Sequence, residues 1–160
     1  MDVNLHERHF PVPPEQVGAL IESLAGDEDS VWPSEHWPAM WLEHGLRLGS
    51  AGGHGPIRYA IDEYVPGQRV RFRFSGPRGF SGWHELAVVP AHDGCDLRHT
   101  LSIDPRGLAR VSWPVVIRPL HDALVEDAFA KAATTLGLDG TRPRWSWWVR
   151  LLRRALRGHG

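Results

Sequence analysis

Three histidines occupy positions from which their side chains could act together on a bound molecule. Residues 82–89 and 96–103 alternate between apolar and polar side chains around an Asp93-Gly94 turn, which predicts a β-hairpin. Pairing Leu86 with His99 places the apolar residues on one face, and a slip of one residue would expose that whole face. The buried face would then consist of His84, Leu86, Val88, Leu97, His99, Leu101 and Ile103. Two of the three histidines therefore face the interior.

The third histidine lies on a long predicted helix, Pro114–Leu136. Apolar residues recur there at helical spacing, namely Ile117, Leu120, Leu124, Val125, Ala128, Ala132 and Leu136. By its helical angle, His121 falls within this apolar stripe. Pro119 predicts a kink or break, because proline removes one backbone donor. Gly137 suits the left-handed position that ends many helices.

Two interpretations of these histidines stay open. Each could be a neutral side chain bonded to a neighbour inside a mostly apolar wall. They could instead orient a ligand or exchange protons with it, so that His84, His99 and His121 are the candidate catalytic residues. Tyr59 could add a hydroxyl, whereas Glu85, Glu126 and Asp127 are expected at the surface.

Several other chemistries lack support in the sequence. The histidine spacing matches no motif such as H-E-x-x-H and there is no CxxC pair, so no metal site is predicted. No spacing typical of a covalent nucleophile occurs. The segment AGGHGP lacks the Lys-Ser/Thr ending of a phosphate loop, so no nucleotide or other cofactor is predicted.

The remaining chain predicts four further strands and one short helix. The strands are residues 3–10, 46–50, 57–65 and 69–74, and the helix contains Val17, Leu20, Ile21 and Leu24. Trp32, Trp37 and Trp41 either cap a small core or line the mouth of a ligand pocket. Arg69, Arg71 and Arg73 share one strand face, which indicates a solvated surface or else an anion-facing patch.

The order of these elements, with PVPPEQVGALIESL, VPGQRVRFRF and HDALVEDAFAKA, resembles the SRPBCC or START-like superfamily, in particular its polyketide cyclase/dehydrase-type members. The resemblance covers residues 3–137. It implies an α+β helix-grip fold, in which a curved antiparallel sheet wraps around the long C-terminal helix and encloses an apolar cavity. It also implies a hydrophobic ligand such as a lipid, sterol or polyketide. It transfers no catalytic residue, because the superfamily shares a cavity and not a common active site.

The strand face and the helix stripe together predict which residues contact the ligand. They are Trp37, Trp41, Tyr59, Leu86, Val88, Leu97, Leu101, Leu124, Val125 and Ala128. We expect the sheet and the helix to enclose one of the largest pockets of the molecule, because one curved sheet and one helix leave space between them.

Composition bounds the protein's surroundings. The single cysteine, Cys95, excludes an internal disulfide and favours a reducing compartment. The first ten residues lack the apolar region of a signal peptide, and no apolar run approaches the ~20 residues that span a bilayer. These features predict a cytoplasmic protein, with membrane association left open by its C-terminal tail.

That tail is the most distinctive local feature of the chain. We predict a helix-grip domain over residues 1–138 and a basic, Trp-rich tail over residues 139–160. One side of a tail helix would hold Trp145, Trp148, Val149, Leu151, Leu152, Ala155 and Leu156, and the other Arg150, Arg153, Arg154 and Arg157. Residues 145–156 could dock on the domain, pair with a second subunit, contact a membrane or stay disordered. The rest of the chain is acidic, which argues against nucleic-acid binding.

Three functions are consistent with these patterns. The first is binding of a hydrophobic, ring-containing small molecule in the cavity. The second is a cyclase or dehydratase acting on polyketide-like substrates through the cavity histidines. The third is an adaptor that works through the Arg/Trp tail at a membrane or a partner.

Overall fold

One antiparallel sheet of seven strands forms the middle of the molecule, which the computed structural model describes over residues 1–157. Its strand order is β1-β7-β6-β5-β4-β3-β2. Register shifts within β4 interrupt regular pairing, and such irregularities bend and twist a sheet. The strands are β1 (Asp2–Phe10), β2 (Trp41–Leu42), β3 (Ala51–His54), β4 (Ile57–Val65), β5 (Arg69–Gly76), β6 (Gly82–Ala91) and β7 (Gly94–Ile103).

The β6–β7 hairpin has the predicted register. Leu86 lies opposite His99, Val88 opposite Leu97, and His84 opposite Leu101. The connecting loop is residues 92–93, one position earlier than predicted. Alternation therefore identified the buried face correctly.

Four helices accompany the sheet: α1 (Pro14–Glu22), α2 (Ala109–Ser112), α3 (Arg118–Thr135) and α4 (Trp147–Arg157). A π-helical turn, Trp113–Ile117, joins α2 to α3, so that residues 109–135 form one helical segment of 27 residues. Pro114 and Pro119 stand at the start of the π-turn and of α3. The irregularity expected at Pro119 therefore takes the form of a wider turn just before it, because two prolines withdraw two backbone donors.

The glycine-rich segment was wrongly assigned by sequence. The predicted strand at residues 46–50 is a series of turns, and the strand is β3, within the segment expected to be a turn. A side chain at Gly52 would come 2.4 Å from the carbonyl oxygen of Trp41. Glycine has a low strand propensity, which explains why no strand was predicted here. Its lack of a side chain nevertheless permits the close pairing of β3 with its neighbour β2. The partner strand β2 was not predicted at all.

The predicted helix-grip α+β fold is confirmed: the sheet curves around the long helical segment. Two apolar clusters lie on the concave side of the sheet. The larger joins α1 and α3 to the sheet around Phe10, Ile21 and Phe129, and the smaller surrounds Ile103 and Trp113. Within residues 1–157, no helix is both long and apolar enough to cross a membrane.

The C-terminal helix packs against the domain. The indole of Trp148 donates to the carbonyl of Val115 over 2.7 Å, and Val149 is buried. Arg153 is also buried, with its guanidinium 3.7 Å from the ring centre of Trp145. Sequence placed Arg153 on the side of the helix opposite the apolar residues. In the structure it is buried instead, because the indoles of Trp37 and Trp145 make an attractive site for a cation. Residues 158–160 and the side chain of Arg157 lie outside the described part of the tail.

Asp127 anchors this contact. Sequence placed it at the surface, but it is 4% exposed. Its carboxylate accepts hydrogen bonds from the indoles of Trp37 at 2.8 Å and Trp145 at 3.1 Å. The guanidinium of Arg142 lies 2.7 Å from the same carboxylate. A buried charge is tolerated when it has this many donors and a counter-charge.

Candidate ligand-binding cavity

A cavity of about 220 Å³ separates the two apolar clusters and is bounded by the sheet, α3 and the π-turn. Leu24, Trp32, Phe72 and Phe129 line one end, and Phe74, Phe80, Ile103 and Trp113 line the other. Cavities of about 150 Å³ with apolar walls can hold a benzene molecule, and drug-sized sites begin near 300 Å³. The space therefore suits a small ring compound.

Six of the ten residues predicted to contact a ligand line this cavity: Trp37, Leu86, Leu101, Leu124, Val125 and Ala128. Val88 and Leu97 do not, because they lie in the larger cluster that α1 fills. Tyr59 is buried behind the wall against Phe72 and His84. Trp41 is 45% exposed on the edge strand β2, with Arg58 over its ring. These four residues therefore do not line the cavity, contrary to the expectation that they would.

His84, His99 and His121 all line the cavity. Burial lowers the pKa of His84 and of His99 well below the usual value of 6.5. Burial also lowers the pKa of His121, although the neighbouring Asp122 partly opposes this. All three side chains are therefore neutral at pH 7, as expected for imidazoles removed from water.

The histidines present unused hydrogen-bonding atoms. His99 Nε2 lies 3.4 Å from His84 Nδ1, so these rings share one hydrogen bond. His84 Nε2, His99 Nδ1 and His121 Nε2 are buried and have no partner among the described residues. Buried polar atoms are rarely left in this state, because desolvation without a new bond is unfavourable.

A fourth histidine was missed by sequence. His54 ends β3 and lines the cavity, and its Nδ1 lies 3.2 Å from the hydroxyl of Tyr59. Burial lowers the pKa of His54 to about 3 and raises that of Tyr59. The sequence analysis assigned the glycine-rich segment to a turn, and a turn has no periodicity from which the direction of the His54 side chain could be predicted.

A polar cluster adjoins the cavity between β1 and α3. Asp122 Oδ1 accepts hydrogen bonds from Asn4 Nδ2 at 3.1 Å and His6 Nε2 at 3.2 Å. It also lies 3.3 Å from His121 Nδ1, while His6 Nδ1 lies 3.0 Å from Glu126 Oε1. The only signals in the sequence were alternation along β1 and the four-residue spacing of the two acids. Glu126, expected at the surface, is half-buried here.

The contacts in this cluster favour the protonated form of His6 and the ionised form of Asp122. The hydrogen bond with Asp122 raises the pKa of His6, against the opposing effect of burial. Burial alone would raise the pKa of Asp122, but the bonds from His121 and His6 hold it well below its usual range. Ligand atoms of His6, His121 and Asp122 lie within 4.8 Å of one another, a spacing that a metal ion can also use. Both nitrogens of His6 and Nδ1 of His121 already face carboxylate oxygens, so these side chains form a hydrogen-bonded network.

The three arginines of β5 do not form a free anion site. Arg71 and Arg73 both contact the carboxylate of Asp62, at 3.2 Å and 2.6 Å. Arg69 pairs with Glu63. This strand face is therefore a partly solvated network of ion pairs.

The fold and the apolar cavity define a helix-grip protein. The sequence pattern of the polyketide cyclase/dehydrase and lipid transport family matches residues 5–144, and the chain belongs to that family. The predicted resemblance is thereby confirmed. No protein of curated function matches the chain in sequence.

Solved structures share the fold at low sequence identity. A protein from Thermobifida fusca is 17% identical, with a TM-score of 0.64 over 86% of this chain and 94% of its own. CalU16 from Micromonospora echinospora is 13% identical, with a TM-score of 0.61 over 96% of this chain and 83% of its own. DynU16, a protein of the dynemicin biosynthetic locus, is 15% identical, with a TM-score of 0.58 over 91% of this chain and 51% of its own. These similarities concern the fold alone.

The buried histidines predict that acid destabilises the protein. Below pH ~6.5 these histidines bind protons in the unfolded chain. In the folded protein they stay neutral until a much lower pH, because burial lowers their pKa. The free energy of unfolding should therefore fall as pH drops from about 6.5, by up to ~1.4 kcal/mol per pH unit for each such histidine. Replacing His84 with Phe should remove one contribution and flatten the decline, as measured by urea unfolding at pH 7.5 and 5.0.

The control is His92→Phe in the exposed loop between β6 and β7, which should keep the wild-type dependence on pH. Equal losses of stability on acidification in wild type and His84→Phe would contradict a buried neutral His84.

Proposed function

We propose that this protein binds a small, hydrophobic, ring-containing molecule that carries hydroxyl or carbonyl groups. The apolar walls, with Phe72, Trp113 and Leu124 among them, support the hydrophobic part of this proposal. The observation that carries the polar part is the set of buried, unpaired imidazole nitrogens on the same wall. Hydroxyl or carbonyl groups of a ligand would supply the missing partners.

The chemistry of neutral imidazole limits what the ligand must offer. Each neutral ring has one N–H and one lone pair. Because His84 and His99 use one of each on their shared bond, the pair keeps one free donor and one free acceptor, whichever ring donates. A ligand with one hydroxyl and one carbonyl or second hydroxyl can satisfy both. An equally large hydrocarbon leaves them unpaired, at about 1–3 kcal/mol for each buried group.

The family context supports the same class of ligand. The family description covers polyketide cyclases, dehydrases and lipid transport, and one structural relative comes from a biosynthetic locus. Hydroxylated fused rings have both the apolar faces and the polar edges that this cavity requires.

A second candidate is a cyclase- or dehydratase-like enzyme. His84, His99 and His121 would then remove a proton from an activated carbon of the ligand and return one to an oxygen. The observation that favours it is the free donor and the free acceptor that the His84–His99 pair keeps within one apolar wall. Such a pair can accept and supply a proton without carrying net charge.

We predict that 1-naphthol binds more tightly than 1-methylnaphthalene, which has a similar shape and no hydroxyl. His99→Ala should reduce this preference by about tenfold, because a lost buried hydrogen bond is worth about 1.5 kcal/mol. The same variant should bind 1-methylnaphthalene nearly as well as wild type. Isothermal titration of both ligands against both proteins measures the difference.

The control for location is Ala128→Phe, which should fill the cavity and weaken both ligands while the circular dichroism spectrum stays unchanged. Equal affinities for the two naphthalenes in wild type, or unaltered binding in Ala128→Phe, would contradict the proposed site.

We further propose that the tail, residues 139–160, acts as a separate functional unit that contacts anionic lipid. The family match ends at residue 144, just before α4. On the outward side of α4, Trp147 is 70% exposed and Leu151 50% exposed, with the exposed Arg150 and Arg154 beside them. Tryptophan with arginine on a helix at the surface is typical of proteins that lie at a membrane interface.

We predict that the full chain co-sediments with vesicles of phosphatidylglycerol and much less with vesicles of phosphatidylcholine. Replacing Trp147 and Leu151 together with Ser should abolish sedimentation, since the apolar contact is removed and the domain contact through Val149 remains. Leu48→Ser, an exposed leucine outside the tail, is the matched control and should bind like wild type. Unchanged binding in the double variant, or a dimer in sedimentation velocity that it abolishes, would contradict the lipid contact.

A further inference from the structure

Among the three cavity histidines that sequence identified, His121 differs from the others in its ring partner. His121 Nδ1 lies 3.3 Å from Asp122 Oδ1, whereas His84 and His99 bond each other. An ionised carboxylate only accepts hydrogen bonds, so His121 Nδ1 must carry the hydrogen. The second nitrogen, Nε2, then has a free lone pair, and this is the buried atom without a partner among the described residues. His121 is therefore the tautomer with hydrogen on Nδ1, and its Nε2 can accept a proton.

The carboxylate is itself held in position from β1. Asn4 Nδ2 and His6 Nε2 both donate to Asp122 Oδ1, at 3.1 Å and 3.2 Å. The other nitrogen of His6 lies 3.0 Å from Glu126 Oε1. Because both nitrogens of His6 face carboxylates, the ring carries two hydrogens and a positive charge. His6 therefore keeps Asp122 ionised and fixed.

Other charged groups complete the surroundings of this dyad. Arg118, one turn earlier on α3, lies 3.9 Å from Asp122 Oδ2. Arg8 on β1 lies 3.6 Å from Glu126. The neutral ring of His99, on β7, packs against His121 with ring centres 4.9 Å apart. The carboxylates of Asp122 and Glu126 are thus balanced by His6, Arg118 and Arg8, and the ring of His121 stays neutral.

We propose that His121 is the general base of the cavity, with Asp122 as its positioning residue and His6 and Asn4 fixing that carboxylate. This inference rests on the proposed function, since it requires a ligand in the cavity. It selects one base among the candidate histidines and assigns a role to three residues outside the cavity wall.

The proton transfer is balanced within the site. His121 Nε2 takes a proton from a carbon next to a carbonyl group of the ligand, and the electron pair of that bond remains on the ligand as an enolate. The resulting imidazolium is stabilised by Asp122, as in other carboxylate–histidine pairs. The free N–H of the His84–His99 pair donates to the enolate oxygen, and the proton on His121 returns to the ligand or to water. The reaction class is enolisation, which also initiates aldol cyclisation and dehydration.

The test uses 5-nitrobenzisoxazole, a planar bicyclic compound that reports on a base in an apolar site. Removal of its ring C–H proton forms a nitrile, breaks the N–O bond and releases a yellow phenolate, with no other reactant. Wild type should accelerate this reaction over free imidazole at equal concentration. His121→Ala should lose at least tenfold in kcat/KM, and His92→Phe, in the exposed loop between β6 and β7, should retain the wild-type value.

Asp122→Asn tests the positioning role, and Asp96→Asn is its matched control because Asp96 also bonds a histidine, His9 at 2.8 Å on the surface. Asp122→Asn should lower kcat/KM at least tenfold. It should also shift the midpoint of the pH–rate profile to lower pH, because the pKa of His121 falls further when the carboxylate that stabilises its charged form is removed. Asp96→Asn should leave both unchanged. Wild-type values in Asp122→Asn would overturn the proposal.

A second measurement does not depend on variant folding. Long-range 15N NMR of wild type should show that His121 carries its hydrogen on Nδ1, and finding it on Nε2 would overturn the proposal.

Binding of 1-naphthol distinguishes failure of the proposed function from failure of the proposed base. If 1-naphthol does not bind, the proposed function fails. If it binds but wild type is no faster than His121→Ala, only the base is wrong.

Discussion

The position of α3 over the concave face of the sheet is the constraint on which the rest of the structure depends. Polar contacts hold this helix along two of its flanks. Asp122 and Glu126 meet β1, and Asp127 meets Trp37 and the tail. Because these anchors and the larger apolar cluster fix the helix, its middle does not have to fill the space in front of His99. A cavity can persist there without collapse of the fold.

The anchors also separate charge from the cavity. The carboxylates lie on the flanks of α3, where arginines and His6 neutralise them. The described residues of the cavity wall contribute only neutral polar groups. Neutral imidazoles in an apolar wall form stronger directional hydrogen bonds than they would in water, because the local dielectric is low. The structure therefore combines an apolar volume with a few unsatisfied polar atoms, a combination that supports recognition of a ligand with a polar edge.

Sequence predicted the parts of this arrangement that follow from local periodicity. The register of β6 and β7 and the inward direction of His84 and His99 came from two-residue alternation, and the inward direction of His121 came from helical spacing. The family resemblance supplied the way sheet and helix combine. Sequence could not predict β3 or its partner β2. Gly52 and Gly53 allow the backbone of β3 to lie close to its neighbours, but glycine gives no strand signal.

Long-range polar partners were equally beyond local patterns. Asp127 looks like any helical acid until the indoles of Trp37 and Trp145 are placed beside it, and Arg153 looks solvent-facing for the same reason. The link between His6 and His121 depends on which residues of β1 face α3, and this follows only once β1 is known to pair with β7. Six of the ten predicted contact residues and all three predicted histidines therefore line the cavity, whereas the network that orients His121 could not be predicted.

The most direct test of this account is an NMR titration of the histidine ring nitrogens with 1-naphthol. If the ligand lies between the sheet and α3, the nitrogens of His84, His99 and His121 should shift together and saturate at one equivalent. The nitrogens of the surface residues His9 and His92 should stay unchanged. Shifts confined to surface histidines, or no saturation at the cavity histidines, would contradict the proposal that the cavity binds the ligand through its imidazoles.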